Sequence, residues 1–226
     1  MRGSSSSILA WALLFGAPSL AACSSATLRP ELSSNAATAL ALSDALEELI
    51  AQGKATEADR DAAYELVKML PAETAGDAFG HAAITGRVAE LKGAGSLFSV
   101  DHNPTSLLGE AEHYALLSRQ KDSAFRDGAA TRMLGSLYCL APADMGIHGN
   151  CEDDGLPLLE GLVKDRPDLA VNQLRLAEAY IAQDDKESAR VPICAAREAR
   201  ASLRQDDQGL LDKLLDAMKP FECAKK

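Results

Sequence analysis

Apolar residues recur along this chain at helical spacing, and no run alternates in the manner of a half-buried strand. Leu40, Leu42, Leu46, Leu49 and Ile50 predict a first helix over 36–51, ended by Gly53. Thr56 with Asp59 three residues on is an N-cap pattern, and Pro71 stops the helix that follows near Leu70. A third helix is predicted over 75–92, where alanine and glycine suggest close packing. A loop over 93–102 leads to Asn103-Pro104, a cap followed by a proline suited to a first helical turn. Further helices are expected over 124–140, 156–164, 169–183, 186–203 and 208–218. Asp206 is the expected cap of the last, and Pro192 should kink the one before it. The apolar stripe Leu210, Leu211, Leu214, Leu215, Met218 beside a polar face suits a helix that caps an array.

Small and large residues also recur between helices. Leu176, Ala177 and Tyr180 precede Ala189, Ile193 and Ala196; Leu134, Gly135 and Tyr138 precede Gly155, Leu159 and Leu162. Small residues belong where antiparallel helices touch, and large ones fill the holes beside them. This is the spacing of tetratricopeptide hairpins. The expected fold is therefore all-α: a tetratricopeptide-like antiparallel helix-hairpin array, an α-solenoid, with a C-terminal capping helix. The helical-repeat domain is expected over 35–223.

The N-terminus changes the picture of where the chain works. Arg2 precedes an apolar run from Ile8 to Leu20, too short for a membrane span of about 20 residues. It reads as a cleaved signal peptide over 1–22. Its end, Leu20-Ala21-Ala22-Cys23, resembles the lipobox of bacterial lipoproteins, which implies lipidation of Cys23 and cleavage before it. Two or more acyl chains anchor stably, at about 0.8 kcal/mol per buried methylene. In such lipoproteins an aspartate after the cysteine favours inner-membrane retention, so Ser24 points to the outer membrane. Residues 23–34 are the lipidated N-terminus and a flexible Ser/Ala/Pro tether.

Losing Arg2 with the leader takes the formal charge from −10 to −11. An acidic chain with 4% aromatic residues is poorly equipped for nucleic acid, which needs clustered Lys and Arg. With Cys23 spent on lipid, Cys139, Cys151, Cys194 and Cys223 remain in an oxidising compartment, and four cysteines allow three pairings. Cys139 ends one helix and Cys151 leads to the next, a placement that favours a disulfide between them, with Cys194 to Cys223 as the second. A metal site of Cys139, His148, Cys151 and Asp153 or Asp154 matches no compact zinc spacing. A Cys-His nucleophilic pair lacks a third group to orient its base. No phosphate loop, nucleophile elbow or His-Glu-x-x-His occurs. The expectation is a binding protein with no enzymatic activity, no cofactor and no metal.

Residues 124–203 carry a further resemblance. Phe125-Arg126, Gly128-Ala129, Leu134-Gly135, Leu137-Tyr138, Ala141-Pro142, Gly155-Leu156, Leu158-Leu159-Glu160, Pro167-Asp168, Asn172 and Leu176-Ala177-Glu178-Ala179-Tyr180 resemble the T-component family of TRAP-type transporters. These are tetratricopeptide-like periplasmic lipoproteins. The resemblance implies a periplasmic solute-binding protein, or another envelope protein, as partner. It also implies an apolar or organic-acid ligand and a homo-oligomer as one form of assembly. The implied location is the outer membrane, facing the periplasm. On the tetratricopeptide template Arg132, Ser136, Leu174, Glu178 and Ile181 line the concave side, with Leu174 and Ile181 exposed there. The alternative is an assembly or pilot lipoprotein that binds an outer-membrane channel.

Overall fold

A computed structural model describes residues 29–95, 104–141 and 147–223. All regular structure among them is helical: α1 Pro30–Ser33, α2 Ala39–Ala51, α3 Glu57–Val67, α4 Ala75–Gly95, α5 Pro104–Lys121, α6 Ala129–Leu140, α7 Leu156–Asp165, α8 Ala170–Ala182, α9 Lys186–Glu198 and α10 Gln205–Ala217. Neighbours in sequence pack as hairpins, α2 on α3, α4 on α5, α6 on α7 and α8 on α9. Each second helix whose contacts extend onward meets the next hairpin's first helix, as α3 meets α4, α5 meets α6 and α7 meets α8. Finally α10 covers α8 and α9 and reaches back to α2.

Local chemistry sets these boundaries. Thr56 caps α3 through a reciprocal box: its hydroxyl accepts from the Asp59 amide at 3.2 Å, and Asp59 accepts from the Thr56 amide at 2.8 Å. Arg29 adds an ion pair to Asp59 at 2.9 Å. Burial works to raise the Asp59 pKa, but the Thr56 bonds and Arg29 outweigh it and hold the carboxyl below its ordinary 3.8. That stability is fully present above the ordinary value and is lost as pH falls through the lowered one. Asp59→Ala should therefore cost about 1–2 kcal/mol near neutral pH, measured by urea unfolding, and the deficit should shrink in acid.

Three differences from the sequence reading have physical causes. The expected tether ends early, because Leu32 on α1 is fully buried in the core formed by Leu42, Leu46, Val67, Ile84 and Leu107. From Arg29 onward the chain belongs to the fold, and residues 24–28 lie outside the described residues. Second, α6 begins five residues later than expected. Arg126, Asp127 and Gly128 all have positive φ, at 48°, 55° and 77°, and turn the chain before it. Arg126 is held there by a two-pronged bond to Asp44 at 2.6 and 2.7 Å. Third, Arg204 and not Asp206 occupies the N-cap of α10; Asp206 and Asp207 lie in its first turn, where they complement the helix dipole. Pro192 is buried and lies inside α9, which continues through it to Glu198.

The close packing expected of 75–92 rests on Gly80. A Cβ there would lie 2.3 Å from the Ala39 carbonyl oxygen, so only glycine lets the start of α2 rest on α4.

Candidate binding site

Cys139 and Cys151 form one disulfide and Cys194 and Cys223 another, with Cα separations of 4.2 and 5.5 Å. The first joins the end of α6 to a single π-turn, Cys151–Gly155, that opens α7. Gly155 is required here. A Cβ would lie 2.6 Å from Cys139 Sγ and 3.0 Å from the Gly135 carbonyl. Gln183 Nε2 donates to the Cys139 carbonyl at 3.2 Å, tying α8 to the same junction.

His148 lies on the returning arm of that connection. Its backbone N–H donates to the Glu112 carboxylate at 3.0 and 3.1 Å, and its Nδ1 lies 2.8 Å from Glu112 Oε2. The Glu112 side chain is almost wholly buried while that of His148 is exposed. Glu112 also faces the Tyr138 hydroxyl. Burial, then this carboxylate, push the phenol pKa upward. With Cys139 and Cys151 bonded to each other, neither offers a thiolate to a metal or a substrate. Among the described residues no cluster of three His, Cys, Asp or Glu side chains could hold a metal ion.

A second constellation has no local sequence signal. Arg87 on α4 makes a two-pronged bond to Glu47 on α2 at 2.7 and 2.9 Å. Arg204, before α10, donates to the Glu47 carbonyl at 2.7 Å and pairs with its carboxylate at 3.4 Å. Asp206 lies 3.9 Å from Arg87. On α8, Arg175 bridges Glu178 at 2.8 Å and Asp207 at 2.6 Å. Burial opposes the Arg175 charge, but Glu178 and Asp207 overcome it and raise the pKa. The charges of α2, α4, α8 and α10 thus close the first part of the chain onto the last.

Arg132 adjoins this network from α6, within the influence of Arg175 and Asp207. Arg132 Nη1 donates to Asn172 Oδ1 on α8 at 2.7 Å and to the Asp127 carbonyl at 3.3 Å. Burial, then the like charge of Arg175, press its pKa down, while Asp207 and Asp127 act the other way. The Ser136 hydroxyl is buried and has no hydrogen-bond partner.

The five positions placed on the concave side therefore separate. Arg132 and Ser136 share a face of α6, and Glu178 is bound to Arg175. Leu174 is a correction: it is fully buried, not exposed, because α9 and α10 fold over it with Ala189, Ile193, Leu211 and Leu214. Ile181 is half-buried against the same cluster, so it too is not an open apolar surface. Arg87, Arg175 and Asp207 were missed by sequence reasoning. Cys23 lies outside the described residues. No described helix is long and apolar enough to cross a membrane.

Compared with known proteins, the chain matches no family model and no curated protein sequence.

Proposed function

We propose that this chain is a lipid-anchored, tetratricopeptide-like helical-repeat binding protein of the bacterial envelope. Its partner would be a periplasmic solute-binding protein of a TRAP-type transporter. The observation that carries the envelope assignment is the pair of disulfides, Cys139–Cys151 and Cys194–Cys223. Such bonds persist in an oxidising compartment and are rare in reducing cytosol. They agree with a leader that ends in Leu20-Ala21-Ala22-Cys23. The hairpin order supports a repeat array, in which α6 and α8 stand as first helices side by side. Among the described residues the face they share carries charge and hydrogen-bonding groups, Arg132 and Asn172 among them, which suits binding.

The anchor is tested by the mass of the protein purified from bacterial membranes. The expected chain begins at Cys23 and carries a diacylglyceryl group, and Cys23→Ser leaves the membrane fraction. A chain beginning elsewhere without lipid would contradict the reading.

A further inference from the structure

Two separate apolar cores lie at the ends of the hairpin series. Leu42, Leu46 and Ile84 belong to the first, and Leu174, Ile193 and Leu211 to the last; among the described residues the two share no member. The covalent route between them runs through α6 and α7. The last unit is also tied within itself. The Cys194–Cys223 bond closes it, and Arg175 joins Glu178 of α8 to Asp207 of α10.

Where α10 reaches back to α2, the seam is charged. Arg204 Nη2 donates to the Glu47 carbonyl at 2.7 Å, and Nη1 lies 3.4 Å from the Glu47 carboxylate. Asp206 lies 3.9 Å from Arg87, which itself grips Glu47. The Arg204 side chain is 45% exposed, so water reaches the contact. Ion pairs open to water are weak beside a buried apolar core. A like charge works against closure as well, because Arg87 of the first unit acts on Arg175 of the last. In a series of hairpins each unit draws its stability from itself and its neighbours. A contact between the first and the last can therefore break with the units intact.

We propose that this seam is a clasp: the hairpin series opens between α2 and α10 and recloses, each end moving as a unit, with Arg204 on Glu47 as the catch. Asp207 follows Asp206 in the first turn of α10, has a side chain only 9% exposed, and feels both Arg204 and Arg87. Opening admits water to Asp207 and to its bond with Arg175. The clasp goes beyond the proposed reading and holds whichever partner the chain binds.

The test measures a distance across the seam by pulsed electron paramagnetic resonance. The protein purified from bacterial membranes carries spin labels at Glu48 of α2 and Lys213 of α10, both exposed. The labels are attached through encoded ketone side chains, so the cysteines stay as they are. A short distance and a minor longer one are expected. Arg204→Gln should raise the ratio of long to short about three- to tenfold, the worth of one half-exposed charged hydrogen bond, with helix content unchanged. Arg200→Gln should not move it, because the partner of Arg200 is Asp212 on α10 itself. Raising sodium chloride from about 0.01 M to about 1 M cuts the screening length from about 30 Å to about 3 Å. It should shift the unaltered protein the same way as Arg204→Gln, and so decides the matter even where that variant does not fold. A ratio unmoved by salt or by a folded Arg204→Gln, an equal change in Arg200→Gln, or a long distance that appears only as helix is lost would each overturn the proposal.

Discussion

Arg175→Leu is expected to lower stability by about 3 kcal/mol at neutral pH, read as a fall in the urea midpoint with an unchanged slope. The guanidinium stands between Glu178 and Asp207, whose side chains are 15% and 9% exposed. Removing it leaves two carboxylates facing each other with little water to screen them. The estimate takes the low end for a broken buried pair, because Arg175 itself is a quarter exposed. The pH dependence gives a second readout. Burial raises the Asp207 pKa, Arg175 opposes this, and Asp206 adds to it. A carboxyl whose folded pKa is raised favours the fold at low pH, and that advantage is lost as pH rises through the raised value. Without Arg175 the pKa climbs further, so the deficit should be larger at pH 7 than at pH 4. An equal deficit at both would mean that lost packing, not charge, explains the effect.

Removing either disulfide is the other large effect. The loops span 29 residues for Cys194–Cys223 and 12 for Cys139–Cys151. In the chain-entropy model the two are worth about 3.5 and about 3 kcal/mol. The consequences should differ in place. Cys194→Ala with Cys223→Ala frees the segment after α10, where Arg197 donates to the Cys223 carbonyl. Cys139→Ala with Cys151→Ala loosens the α6–α7 junction and with it the arm that brings His148 to Glu112. Hydrogen exchange should accelerate in α9 and α10 for the first pair and in α6 and α7 for the second. Global unfolding without this separation would contradict the local roles given to the two bonds.

Helix order and several boundaries were legible because their signals are local. Thr56 and Asp59 are three residues apart, and Pro71 and Pro104 each act on their own turn. Among three possible pairings the helix ends favoured Cys139–Cys151 without deciding it, and the structure has that bond and Cys194–Cys223. What escaped was set by distance or by backbone. Nothing near Arg126 and Asp127 announces left-handed conformations at two residues that are not glycine. Arg126 is held in that turn by Asp44, 82 residues away in sequence. The link from Arg204 to Glu47 spans 157 residues. Leu174 was misplaced because a repeat template assumes an open concave side, whereas α9 and α10 close over it here. Arg132 and Ser136 were legible as a pair on one helix face. That Arg132 is held by Asn172 of α8 required the side chains of the fold.

The central claim is that this chain works by holding a periplasmic partner. The most direct measurement is capture of the tagged mature protein from gently solubilised envelopes, with its partners identified by mass spectrometry. The account predicts a solute-binding protein in stoichiometric amount. An outer-membrane channel in its place, or nothing above background, would contradict it, and the channel would move the protein to the assembly lipoproteins.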